Sequence, residues 1–125
     1  MEKLLRSTNV KKLYLLIRPK GGESTEKRLE NLLESSVFEK LKRTDQKVFD
    51  KIEVVTGNIT EKNFGVSAEE REVLIENVNI IFHSAASVSF NDPLTMSVKT
   101  NLGRHFCSSR VKILIHSIFQ RLFQP

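Results

Sequence analysis

Apolar residues gather in three short runs separated by amphipathic stretches. Leu13-Tyr14-Leu15-Leu16-Ile17 is continuous between Lys11-Lys12 and Arg18-Pro19, which predicts a strand covered on both faces. Pro19 and Gly21-Gly22 end it. From Ser24 onward, Leu29, Leu32 and Leu33 recur at helical spacing among Glu, Lys and Arg, and Phe38 with Leu41 extends the pattern into a second short helix. Ile52-Glu53-Val54-Val55, halted by Thr56-Gly57-Asn58, predicts a second strand. Ser67-Ala68-Glu69-Glu70 has capping-box spacing, and the helix it opens carries Val73, Leu74 and Val78 and should end near Asn77. Ile80-Ile81-Phe82 then starts a third strand.

Strand, helix, strand, helix, strand with these connections argues for βαβ crossovers and a parallel sheet. Ligands of such sheets lie beyond the carboxyl ends of the strands. Arg18 and Lys20 follow the first strand, Gly57-Asn58-Ile59 the second, and His83-Ser84-Ala85-Ala86 the third. Small residues after a buried strand let a flat ligand lie against the backbone. Each piece also has a structural alternative: Arg18 as a solvated surface cation, Asn58 as a turn former, Ala85-Ala86 as tight packing, His83 as a core or rim histidine. Their shared position at three successive strand ends is what points to a ligand.

Composition narrows the classes. The chain has 125 residues, 39% hydrophobic and 28% charged, enough for one core. The net charge of +5 is spread along the chain, which leaves no footprint for nucleic acid. One cysteine, Cys107, rules out an internal disulfide and a multi-cysteine metal site, in keeping with a reducing compartment. No apolar run reaches membrane-spanning length, and Met1-Glu2-Lys3 does not begin a signal peptide. An intracellular protein without a membrane segment of its own is the expectation.

The stretches KKLYLLIRPKGGESTEKRLENLL, VVTGNITEKNFGVSAEEREVLIENVNIIFHSAASVSFNDPL and VKTN resemble the nucleotide-binding domain of alcohol-forming fatty acyl-CoA reductases, in the extended short-chain dehydrogenase group. The resemblance spans about residues 2 to 102. It implies a Rossmann-type α/β fold and NADPH-dependent reduction of long-chain fatty acyl-CoA to fatty alcohol, by two hydride transfers through an aldehyde. It also implies association of full-length members with peroxisomal or endoplasmic reticulum membranes. By resemblance, Arg18 accepts the adenosine 2′-phosphate, where a guanidinium suits a dianion and NAD-dependent relatives place an acid. Lys20 adds a less directional charge. Asn58 and Ile59 match the pair that holds adenine, with Asn in place of the more usual Asp. Ala85 and Ala86 match the shelf beside the ribose and nicotinamide, and Asn101 matches the Asn of an N-x-x-G-T helix start.

Several family features do not occur. The five glycines, Gly21, Gly22, Gly57, Gly65 and Gly103, contain no G-x-x-G-x-x-G turn for a pyrophosphate. The sole tyrosine, Tyr14, is followed four residues on by Arg18, so the Y-x-x-x-K pair that would donate and steer a proton is absent. The expectation is an incomplete Rossmann-type parallel sheet without its first strand and Gly-rich turn, binding cofactor in part and catalysing nothing. The alternative is a non-catalytic interaction or regulatory fragment that pairs with a full-length relative. Residues 1–103 would be the partial NADP-binding domain and 104–125 a divergent tail. For that tail, permitted codons read one nucleotide forward from Arg104 give Gly-Thr-Phe-Ala-Leu-Leu-Glu, which restores N-x-x-G-T and predicts an out-of-frame origin. As a genuine protein segment, Val111 to Phe123 would instead form an amphipathic helix. With the central strand of the 3-2-1-4 order missing, the sheet is expected to close up, Leu13–Ile17 pairing directly with Ile80–His83.

Overall fold

The computed structural model describes residues 1–83 and 93–95 in full and the backbone of 113–116. The chain divides into two compact units, Met1–Asn58 and Ile59–Pro125.

The first unit opens with a short helix α1, Glu2–Ser7, which the hydrophobic pattern did not announce. Arg6 Nε donates to Glu2 Oε1 at 2.6 Å, one turn back. Strand β1 is Leu13–Ile17, as the apolar run predicts. Helix α2, Thr25–Leu33, starts where Ser24 Oγ accepts from the Lys27 amide, the N-cap bond that relieves one unpaired donor of the first turn. A 3₁₀ turn at Ser36–Phe38 leads into α3, Glu39–Thr44. A second 3₁₀ stretch at Gln46–Lys51 delivers the chain to β2, Ile52–Thr56.

Strands β1 and β2 pair in parallel with Leu13 opposite Ile52 and Ile17 opposite Thr56. A parallel pair needs a long crossover, and α2 with α3 supplies it. The core of this unit is Leu5, Phe38, Leu41 and Val48, with Leu13, Leu33, Phe49 and Ile52 packed against it. Each such side chain, fully buried, contributes about 1.5–3 kcal/mol. The Phe38 and Phe49 rings meet edge to face, with centroids 6.2 Å apart. Ile17 and Val55 are buried near the carboxyl end of the pair, but Leu16 is 37% exposed. Strand β1 is therefore not covered on both faces as its unbroken apolar run implies. A continuous run reports hydrophobicity, and only the layers present decide which faces are covered.

The second unit begins with a tight turn, Lys62–Gly65, in which Asn63, Phe64 and Gly65 have φ of 53°, 59° and 64°. Gly65 takes the left-handed region without a steric penalty and Asn63 tolerates it, whereas Phe64 is strained there by roughly 1–2 kcal/mol. Helix α4, Ala68–Asn77, follows with the expected reciprocal cap: the Glu70 amide donates to Ser67 Oγ, and the Ser67 amide to the Glu70 carboxylate. It ends at Asn77, as the pattern predicts. Strand β3, Ile80–His83, pairs in parallel with β4, Ile113–His116, Ile80 opposite Ile113 and His83 opposite His116.

Two expectations are corrected here. The two ladders are separate two-stranded sheets, β1–β2 and β3–β4, so the closed-up pairing of Leu13–Ile17 with Ile80–His83 does not form. A partner for β3 comes from its own unit, where a ladder satisfies backbone groups without shortening a layer set by helices. And Ile113–His116 is a strand, not part of an amphipathic helix. Ile-Leu-Ile-His is too short for periodicity to separate the two states, and alternate β-branched residues favour the extended one.

Candidate functional site

The parallel pairing of β1 and β2 brings their carboxyl ends to one edge. Its last rung is the Gly57 amide donating to the Ile17 carbonyl at 3.1 Å. Arg18 and Gly57 therefore leave the sheet side by side, one strand spacing of ~4.8 Å apart, with Asn58 next. Of the proposed contacts, Arg18, Lys20 and Asn58 belong to this unit, and Ile59 opens the second. Ala85, Ala86 and Asn101 lie outside the described residues.

Two turns shape the loop after β1. The residue before a proline is steered toward extended backbone, which restricts Arg18 ahead of Pro19. Lys20 and Glu23 then flank a tight turn, closed by the Glu23 amide on the Lys20 carbonyl at 3.0 Å. Its central residues Gly21 and Gly22 have φ of 60° and 78°, a conformation that glycine adopts without strain. The loop ends at α2, whose first residue is fixed against β2: Thr25 is 5% exposed, and its hydroxyl lies 3.2 Å from that of Thr56. Further into α2, the Arg28 guanidinium donates to the Arg18 carbonyl.

This edge is positive. Among the described residues, neither Arg18, Lys20 nor Arg28 makes an ion pair. The acids nearby are otherwise engaged. Glu23 accepts from Asn31 Nδ2 at 2.6 Å, and Glu30 faces Lys27 at 3.4 Å. Glu26 is held below the usual carboxylate range by its own backbone amide and then by the Thr25 and Ser24 hydroxyls. At the opposite end of the sheet, Lys12 pairs with Glu53, which raises the ammonium pKa, and sits 5.5 Å from the centre of the Tyr14 ring. The lone tyrosine is thus part of a cross-strand surface contact.

The hydrophobic pattern did not single out Thr25 or Arg28. The available signal was register: both lie in the first turns of a helix that opens beside a strand end, three residues apart and so on one face. No group of His, Cys, Asp and Glu among the described residues could hold a metal ion. No helix among them is long and apolar enough to cross a membrane.

Comparison with known proteins bears on what such an edge serves. Residues 1–104 match the NAD-binding family described as Male sterility protein. The fatty acyl-CoA reductase wat of Drosophila melanogaster is 43% identical over 102 residues, which is 82% of this chain and 20% of that protein. Fatty acyl-CoA reductase 2 of Bos taurus is 39% identical and fatty acyl-CoA reductase 1 of Gallus gallus 41%, each over 103 residues with the same coverage. The chain thus spans about a fifth of the length of these relatives. Among solved structures, the terminal R domain from the myxalamid PKS-NRPS biosynthetic pathway superposes with a TM-score of 0.60 at 25% identity, covering 80% of this chain and 24% of that one. The fold is accordingly a Rossmann-like α/β arrangement, and the nicotinamide-cofactor character of the domain follows from the family. With helix, parallel strands and sequence in agreement, this chain belongs to the male sterility family of NAD-binding domains.

Proposed function

We propose that this chain supplies the adenosine 2′-phosphate side of an NADPH site in a fatty acyl-CoA reductase that converts long-chain acyl-CoA to fatty alcohol. The observation that carries the reading is Arg18, exposed and without an acidic partner among the described residues, leaving β1 beside Gly57-Asn58 at the end of β2. A guanidinium fork meets a phosphate dianion with two parallel hydrogen bonds, and an unpaired one need not break an ion pair first. Lys20 adds charge beyond the strand end. Asn58 offers an acceptor and donors to an adenine edge, with Ile59 the apolar member of the pair. Ala85, Ala86 and Asn101 are assigned to the ribose and nicotinamide on the family resemblance, not on their placement.

NADPH, when bound, supplies the hydride. The residues of this chain bind and orient its adenosine end. They hold no proton for the carbonyl oxygen, because Y-x-x-x-K does not occur here and Tyr14 is engaged with Lys12. Loss of an acid–base pair alone removes a factor of about 10² to 10⁴, so the chain by itself is expected to show no acyl-CoA-dependent NADPH oxidation. Activity above a blank would overturn that. Binding is the direct test. NADPH should bind more tightly than NADH in a salt-sensitive manner, although weakly, since no Gly-rich turn here holds the pyrophosphate. Arg18→Ala should abolish the preference; equal affinity for both dinucleotides in the unaltered chain would refute the assignment.

A further inference from the structure

We infer that copies of this chain associate head to tail, helix α4 of one lying in a groove beside α3 of the next. The groove, about 320 Å³, is lined by Leu33 at the end of α2, Lys42 in α3, and Gln46, Phe49 and Asp50 in the following 3₁₀ stretch. A space of that size takes one or two side chains. Leu33 and Phe49 are half-buried, packed against the core of the first unit, and give the groove its apolar part. Lys42 is exposed and makes no ion pair among the described residues. From Lys40 to Lys51 the chain carries Lys40, Lys42, Arg43, Lys47 and Lys51 against Asp45 and Asp50. The complement of such a groove is an acidic surface with a small apolar side chain in it.

Helix α4 carries that surface. Leu74 and Ile75 are half-buried, whereas Glu69, Glu72, Val73 and Glu76, three and four residues apart, share one face and are exposed. None of the three carboxylates makes an ion pair among the described residues. Like charges one turn apart repel, and Glu76 stands in a last turn that has no base, where the helix dipole disfavours an anion. A cationic groove relieves both, and Val73, 44% exposed, supplies the apolar side chain for Leu33 and Phe49. This is the helix-in-groove mode of recognition. Groove and helix are different surfaces, so the contact is heterologous and leaves a groove free at one end and a helix at the other. One face of a 10-residue helix buries far less than the ~1,600 Å² of a standard interface, so the association is weak and salt-sensitive.

Sedimentation velocity on the full chain, from about 10 μM to about 1 mM, tests this. The unaltered chain should sediment faster as its concentration rises and return to monomer in about 0.5 M salt. Lys42→Glu and Glu76→Lys should each abolish the shift, since either leaves like charges across the contact. An equimolar mixture of the two variants should restore it, because the reversed groove of one meets the reversed helix of the other. Loss of folding would not recover on mixing, and Glu76→Lys puts a cation where the dipole of α4 favours one. If Lys42→Glu does not fold, Val73→Asp decides: association lost at unchanged ellipticity supports the docking, and association retained refutes it. A monomer at every concentration, an oligomer indifferent to salt, variants that associate like the unaltered chain, or a mixture that stays monomeric would each overturn the inference.

Discussion

The two units were equally legible as secondary structure and differ in what they bury. In Met1–Asn58, Leu5, Ile17, Phe38, Leu41, Val48 and Val55 are buried. Among residues 59–83 and 93–95 none is, although α4 has a complete capping box and β3 a full four-residue ladder. Val73, Ile80 and Phe82 are among the exposed large apolar residues. A helix cap and a strand ladder are local or pairwise devices, worth about a kilocalorie per mole each. Buried side chains are what turn such elements into a stable layer. The proposed 2′-phosphate edge lies on the unit that has them, which suits a site whose charged groups must be held still.

Core truncation should break this contrast most sharply. Phe38→Ala is expected to cost about 3–5 kcal/mol, enough to expose the amides of Leu15 and Val54 to exchange, whereas Phe82→Ala, half-exposed, should stay within about 0.5 kcal/mol. Urea denaturation followed by circular dichroism with amide exchange measures both. Equal costs would show that the second unit has a core of comparable weight. Next in size, Ser67→Ala should remove about 1 kcal/mol by uncapping α4, seen as faster exchange at Glu70 and Arg71 with no effect at Leu15; a response in both regions would mean that they unfold as one. Thr25→Val, which deletes the hydroxyl shared with Thr56 and Glu26, should cost about 0.5–1.5 kcal/mol and loosen the first unit alone.

The smallest effect is a titration. Because the folded pKa of Glu26 is lowered, its contribution is present above the ordinary glutamate pKa and is lost as pH falls through the folded value. Its carboxyl resonance should therefore titrate below that of a free glutamate, and Thr25→Val should move it upward. An unmoved midpoint in the variant would leave the Glu26 backbone amide as the main source.

Strand and helix positions were readable wherever a signal was local. Leu13–Ile17 announced itself by a continuous apolar run, α4 by Ser67 and Glu70 three residues apart, and the end of β2 by Thr56-Gly57-Asn58. The short helix α1 escaped because six residues carry too little periodicity, and the turn at Lys62–Gly65 because its φ values belong to no common sequence signature except the final glycine. Arg18, Lys20 and Asn58 were legible as a group because parallel strands must deliver their carboxyl ends to one edge. Arg28 and Thr25 were not, since their relevance depends on how α2 lies against the ends of β1 and β2. The same holds for strand partners. Apolar runs specify that Leu13–Ile17, Ile52–Val55 and Ile80–His83 have edges to satisfy, but each edge offers the same row of amides and carbonyls to any neighbour. The chain's own pattern thus determined β1, β2, β3, α2 and α4 and which chemistry stands at the strand ends, but not α1 or the strand Ile113–His116. Which strands pair, which faces are covered and which guanidinium donates to the Arg18 carbonyl were decided only by packing, because those choices depend on contacts that the local pattern does not specify.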